Sequence, residues 1–192
     1  MTELGLVRHF PTDWNAAGRL QGRTDVPLSD AARAALAGLR LPERWRGLPV
    51  VASPLARARE TAEALAEGTP VRIEPRLIEF DFGEWEGRVG AELIAEGAGY
   101  GPVERWGEEF AAPGGESVAA LAARVEAALG AMQGPAVVVT HRGVMRAALA
   151  LATGWRWRGP EPFRIKRAAV HPVRVEGGRI LGAEAWERLV PR

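Results

Sequence analysis

The apolar positions of this chain fall into short runs separated by charged or glycine-containing stretches. Leu4 to Val7 is one such run, ending at Arg8-His9, and its length predicts a buried strand. Phe10 to Val26 mixes residue types and contains Pro11, Gly18 and Gly22, which predicts a loop. Ser29 is placed to cap a helix over 30–39. Val50-Val51-Ala52 predicts a second strand, stopped by Ser53-Pro54. From 56 to 66, good helix formers put Ala58, Thr61, Ala62 and Leu65 on one face, with Gly68 where a C-capping glycine would stand. Val71 to Ile73 predicts a short third strand, and 82–115, rich in Gly, Glu and aromatics, a short helical excursion over one edge. Helical spacing returns at Val118, Leu121, Ala122, Val125 and Leu129. Ala136 to Val139 predicts a buried strand and 143–152 a further helix; 170–175 and 180–186 flank Glu176-Gly177-Gly178-Arg179 as a hairpin. Strands alternating with helices predict an α/β three-layer sandwich in one domain over 1–192. Its central sheet is mostly parallel, with helices on both faces.

Composition narrows the chemistry. A formal net charge of +1 offers no global field for nucleic acid or an anionic membrane, and no basic stripe is present. Lys166 is the only lysine, so nearly all positive charge is guanidinium, the group suited to bidentate recognition of phosphate oxygens. A coding bias toward arginine is the simpler account of most of these residues. The absence of cysteine excludes disulfides, thiolate metal sites and a cysteine nucleophile. Asn15 is the only asparagine, and scarce Asn, Gln, Cys and Met are compatible with a heat-adapted source. No apolar run reaches membrane-spanning length and no basic, apolar leader opens the chain, so a cytoplasmic enzyme is expected. Monomer and homodimer both stay open.

The candidate chemistry lies at strand ends. His9 follows the first predicted strand, and His141 follows Val137-Val138-Val139-Thr140 in the same manner. In open α/β folds ligands gather outside the carboxyl ends of the strands. If the two strands are neighbours, both imidazoles reach one pocket, and Arg8 and Arg57 bring guanidiniums to it. Such a set suits a phosphoryl group, whose transfer is catalysed by positioning and charge stabilisation. The helix starting near Gly143 adds N–H groups at its positive end. Neutral imidazole is a competent nucleophile, and adjacent cations disfavour imidazolium. A metal site is the rival reading, but an arginine beside His9 opposes a cation and no third ligand has recognisable spacing. His171, before Pro172, reads as structural or surface.

Arg8-His9-Phe10-Pro11-Thr12-Asp13-Trp14-Asn15 resembles the Arg-His-Gly-x-Thr-x-x-Asn signature of the histidine phosphatase superfamily, the phosphoglycerate-mutase-like proteins. Further blocks follow in family order over most of the chain: Gly18 to Gly22, Pro27-Leu28-Ser29, Ser53 to Ala62, Leu77 to Gly87, Pro113 to Ser117 and Thr140 to Arg146. The resemblance implies a phosphate monoester hydrolase acting on a small phosphorylated metabolite, without metal or cofactor. His9 would become phosphohistidine. Arg8, Arg57 and His141 would hold the phosphoryl oxygens, with Asn15, Gln21 and Gly22 completing the phosphate and substrate contacts. Glu79 matches the family's proton donor, with Asp81, Glu84 and Glu86 as local alternatives. An alkoxide leaves poorly unless protonated, and a carboxyl serving as acid near neutrality must keep its proton through partial burial.

The chain departs from the family pattern in three places. Phe10 and Arg142 stand where the family has glycine, and Ala31-Ala32 replaces a frequent glycine after Ser29-Asp30. Phe10 is expected either to narrow the leaving-group side of the pocket or to turn into the core; Arg142 is expected to point to solvent. Phe10, Trp14, Trp85 and Trp106 are candidates for the leaving-group side, although such residues more often belong to the core. Two other functions stay in view. A phosphomutase would return the phosphoryl group to another hydroxyl, but the segment 80–114 is short for a closing insertion. A non-catalytic phospholigand-binding module would not require both His9 and Glu79.

Overall fold

The computed structural model describes all 192 residues, Met1–Arg192. Strand β1 (Thr2–Arg8), β3 (Val50–Ala52), β4 (Val71–Ile73) and β5 (Ala136–Thr140) run parallel in the order β4-β3-β5-β1. The sheet is then extended by the antiparallel strands β6 (Ala169–Glu176) and β7 (Arg179–Ala183), and β8 (Glu187–Arg188) pairs with the start of β6. Gly177 and Gly178 take positive φ in the turn between β6 and β7, as the predicted hairpin requires. A second, small sheet joins β2 (Leu39–Arg40) to β9 (Val190–Pro191).

Alternation along the strands assigns each face its core. Leu4, Leu6, Val138 and Val173 point to one side, where they pack with α5 (Val118–Gly130) and α6 (Arg142–Thr153). Val7, Val50, Val137, Val139 and Val170 point to the other, against α2 (Asp30–Ala37) and α3 (Ala56–Leu65). The result is the mixed α/β sandwich that the alternating pattern predicts. Each valine fully removed from water contributes roughly 1.5–3 kcal/mol, and β5 has both faces covered, as a continuous apolar run should. No helix is long and apolar enough to cross a membrane.

Three local expectations are corrected or refined. The stretch 10–26 is not all loop: Thr12 and Asn15 form a reciprocal capping box that nucleates α1 (Asp13–Ala16). Gly68 is not the C-cap of α3; Ala66 is, and Glu67 and Gly68 follow it with φ of +49° and +89°. The excursion at 82–115 does contain a helix, α4 (Gly90–Ala95), with 3₁₀ turns at Gly83–Trp85 and Val103–Arg105, as its weak pattern suggested.

Candidate active site

Strands β1 and β5 are parallel neighbours with Arg8 in register with Thr140, so His9 and His141 emerge side by side. The His9 N–H donates to the Thr140 carbonyl at 2.8 Å, and the two imidazole centroids lie 5.2 Å apart. Strand β3 runs beside β5, which brings Ser53 next to His141: its Oγ lies 2.6 Å from His141 Nε2. Arg57 stands in the first turn of α3, shortly after β3. These strand ends form the floor of a cavity of about 570 Å³. Arg8, His9, Asn15, Gln21, Gly22, Arg57 and Glu79 all line it; His141, beside His9, is fully buried and is not among the lining residues.

The tautomer of His9 follows from its partner. Nδ1 lies 2.6 Å from the Phe10 carbonyl oxygen, which can only accept, so Nδ1 carries the proton and Nε2 the lone pair. Burial first, then the Arg57 guanidinium, pushes the His9 pKa well below the usual imidazole value. His141 is shifted the same way by burial, Arg57 and His9. Both imidazoles are therefore neutral at pH 7. Four buried side-chain nitrogens in the whole protein have no partner, and three of them, Arg8 Nε, Arg57 Nε and His141 Nδ1, belong to this site. Buried polar groups are otherwise satisfied almost everywhere. Two unpartnered guanidinium N–H groups and one unpartnered imidazole nitrogen thus lie at a single site, an arrangement suited to an anion.

The remaining predicted residues have identifiable supports. Asn15 is fixed by the capping box, and Gln21 Oε1 accepts from the Thr12 hydroxyl at 2.9 Å, which leaves its NH₂ end for a ligand. Arg57 donates to the carbonyls of Thr24 and Gly22 at 2.8 and 2.7 Å, drawing the 21–25 loop onto the site. Gly22 has φ +51°, and a Cβ there would fall 1.9 Å from Glu86 Oε1, so glycine is required twice over. Glu79 is only 8% exposed; its carboxylate accepts from the N–H groups of Phe80 at 2.8 Å and Gly143 at 3.2 Å. A Cβ on Gly143 would lie 2.5 Å from Glu79 Oε1, so this glycine gives the carboxylate its seat at the start of α6. Arg124 of α5 holds the backbone that carries Glu79, donating to the carbonyls of Arg76, Ile78 and Glu79.

The local alternatives to Glu79 have other tasks. Glu86 accepts from the N–H groups of Arg23 and Thr24 and from the Thr24 hydroxyl; Asp81 caps Gly83 and pairs with Arg23; Glu84 is exposed. None of the three lines the cavity. Phe10 is turned away as well. Its ring packs with Val7, Leu28 and Leu36 in the core under α2 and α3, so the idea that it narrows the leaving-group side is wrong. Trp85 is core and Trp14 packs against Gly87, leaving Trp106 as the aromatic of that group in the cavity wall. Arg142 is exposed, as expected, yet it also lines the cavity mouth. His171 is buried, with Nε2 accepting from the Lys166 N–H at 3.1 Å, so of its two readings the structural one holds. No three His, Asp or Glu side chains converge closely enough to hold a metal ion.

Sequence reasoning missed Arg146 and Arg167. Arg146 stands among buried positions of α6 and pairs with Glu161, and Arg167 donates to the His9 carbonyl at 2.9 Å. A charged residue inside an otherwise buried helical run was the available signal for the first; the second had none.

The model of the histidine phosphatase superfamily, branch 1, matches residues 4–186. The chain belongs to this superfamily. A glucosyl-3-phosphoglycerate phosphatase of Mycolicibacterium vanbaalenii is 33% identical over 79% of this chain and 74% of its own length. A probable phosphoglycerate mutase GpmB of an Enterobacter species is 38% identical over 67% of this chain and 62% of its own. A matching glucosyl-3-phosphoglycerate phosphatase of Mycobacterium tuberculosis is covered over 56% of its length, so the chain spans between about half and three quarters of these curated relatives. Among solved structures, a phosphoglycerate mutase of Thermus thermophilus superimposes with a TM-score of 0.65 at 34% identity, over 97% of this chain and all of that one.

Proposed function

We propose that the protein hydrolyses a small phosphate monoester in two steps through phosphohistidine at His9, without a metal ion, in a cytoplasmic setting. The observation that carries this reading is the Nδ1–H bond to the Phe10 carbonyl, which leaves the Nε2 lone pair free at a site where the Nε–H groups of Arg8 and Arg57 have no partner. In the first step Nε2 attacks phosphorus, the ester P–O bond breaks, and Glu79 gives its proton to the departing alkoxide. In the second, the Glu79 carboxylate takes a proton from water, the water oxygen attacks phosphorus, the N–P bond breaks, and inorganic phosphate leaves with the Nε2 lone pair restored. Arg8, Arg57 and His141 hold the equatorial oxygens throughout, supplying the charge that a metal supplies elsewhere.

The relatives include both a phosphatase and a mutase. Hydrolysis is the reading we favour because the segment between Glu79 and Gly115 forms only α4 and two 3₁₀ turns, little chain to close over the cavity. Rapid quench of wild-type protein with p-nitrophenyl phosphate tests the proposal. Acid-labile, alkali-stable phosphate on the protein is expected, with turnover that survives excess chelator. His9→Ala is expected to lower turnover by roughly 10³-fold or more. Undiminished activity in that variant, or loss on chelation restored by a divalent ion, overturns the mechanism.

A further inference from the structure

Six arginines line the cavity against two glutamates, in a chain whose net charge is only +1. Arg8 and Arg57 flank His9 and serve the phosphoryl group. Arg19 is tied to the rim by its bond to the Gly87 carbonyl at 2.6 Å. Arg142, Arg146 and Arg167 are left over, a cationic patch beyond what one phosphoryl group requires. We propose that Arg142 and Arg167, with Arg146 behind them, form a second anion-binding subsite, and that the alcohol portion of the substrate carries an acidic group, a carboxylate or a second phosphate. This rests on the phosphomonoester reading of the floor given above.

The geometry separates these arginines from structural ones. Arg124 shows what a structural arginine is in this protein: its guanidinium is saturated by three backbone carbonyls and Glu116. Arg142 makes no ion pair and no side-chain hydrogen bond, although it is one turn from Arg146 on α6, on the same side of the helix. Arg146 is anchored by Glu161 and lies over the Trp157 ring at 6.0 Å, so it is fixed in place and partly neutralised. Arg167 is held by more than its own side chain. The preceding N–H, of Lys166, donates to buried His171, and the following residue, Ala168, takes φ +48°, a left-handed conformation unfavourable for a non-glycine residue. A strained turn braced by a buried histidine delivers one guanidinium to the edge of the His9 site.

These cations repel one another. Burial and then Arg167 and Arg142 bring the Arg8 pKa down to about 9, and burial and then Arg142 bring Arg167 down to about 10. A second anion bound between Arg142 and Arg167 relieves that repulsion, whereas an uncharged leaving group does not.

Phosphonates, whose C–P bond resists hydrolysis, test the subsite on wild-type protein: 4-phosphonobutanoate, its uncharged amide 4-phosphonobutanamide, and propane-1,3-bisphosphonate. Calorimetric titration is expected to give at least one of the two diacids about ten-fold tighter binding than the amide, the scale of one charge-assisted contact. The ranking of carboxylate against bisphosphonate identifies which acid the subsite takes. Arg142→Ala, at an exposed position where folding is not at stake, is expected to cut that preference to about three-fold or less, and Arg167→Ala to do the same. Equal affinity of both diacids and the amide for wild type overturns the subsite. So does a preference that persists in both variants, since the second anion is then held elsewhere. The hydrolase reading fails separately, through absent turnover of p-nitrophenyl phosphate, and that result leaves the phosphonate affinities as they stand.

Discussion

The floor and the mouth of the cavity are built by different means. The floor stands on the ends of three parallel strands, where a ladder register brings His9, His141 and Ser53 level with one another. Its side chains are held by backbone groups: the Phe10 carbonyl for the His9 ring, and the N–H groups of Gly143 and Phe80 for Glu79. The mouth is built mostly from irregular chain, the excursion at 80–115 and the segment 154–168, with Arg142 and Arg146 of α6 at its edge. It is held by aromatic contacts, with Trp106 stacked on Phe110 at 4.2 Å and parallel to Trp157 at 6.1 Å. Regular secondary structure fixes the floor; stacked rings and long cations shape what surrounds it. On the function proposed above, the floor would set the reaction and the mouth the choice of substrate.

The comparison can be broken from either side. The largest expected effect lies on the floor. Glu79→Gln should lower turnover of alkyl phosphates by about 10²–10⁴-fold, and that of p-nitrophenyl phosphate far less, because its leaving group needs no proton. The ranking among alkyl esters should be unchanged. Steady-state kinetics on both classes check this, and equal losses on the two would assign Glu79 a different role.

Next comes a residue beneath the floor. Phe10→Ala removes a buried ring and should cost roughly 3–5 kcal/mol of stability, read by denaturant unfolding, with the order of preferred esters unaltered. A changed order with little loss of stability would return Phe10 to the pocket wall and blur the boundary between the two regions. The smallest effect belongs to the mouth. Trp106→Leu loses two stacked pairs, about 1–2 kcal/mol, together with its contacts to Phe80, Phe82 and Tyr100 and the indole bond to the Gly101 carbonyl, and should change the ranking of bulky against small esters while p-nitrophenyl phosphate is hydrolysed nearly as before. A substrate panel and a thermal melt on this variant suffice. Uniform loss on every ester would show that the aromatics brace the floor rather than the mouth.

The same division explains what could be read from the sequence. The strand-end histidines were legible because a buried strand has a characteristic length and composition, and because β1 and β5 prove to be parallel neighbours. Glu79 was legible only through its register in a family block; its seat depends on Gly143 and on Arg124, which come from elements 64 and 45 residues away. Arg167 was not legible at all. Its position depends on a positive φ at Ala168 and on a bond to His171, neither of which leaves a local pattern. The pairing of Leu39–Arg40 with Val190–Pro191 joins segments far apart along the chain and was equally hidden. Phe10 misled because a substitution beside a nucleophile invites a functional reading, when its side chain had simply found the core under α2.

The burial of His9 has one more consequence. An imidazole that resists protonation is a weak base, and a weak base binds phosphorus less tenaciously. In the two-step reaction proposed above, the same desolvation that keeps Nε2 free for attack also gives the N–P bond a high group-transfer potential. The intermediate is then primed to discharge to whatever acceptor first reaches it. A histidine in open solvent would store the phosphoryl group for longer; one buried at the floor of a cavity, as His9 is, would let it go sooner.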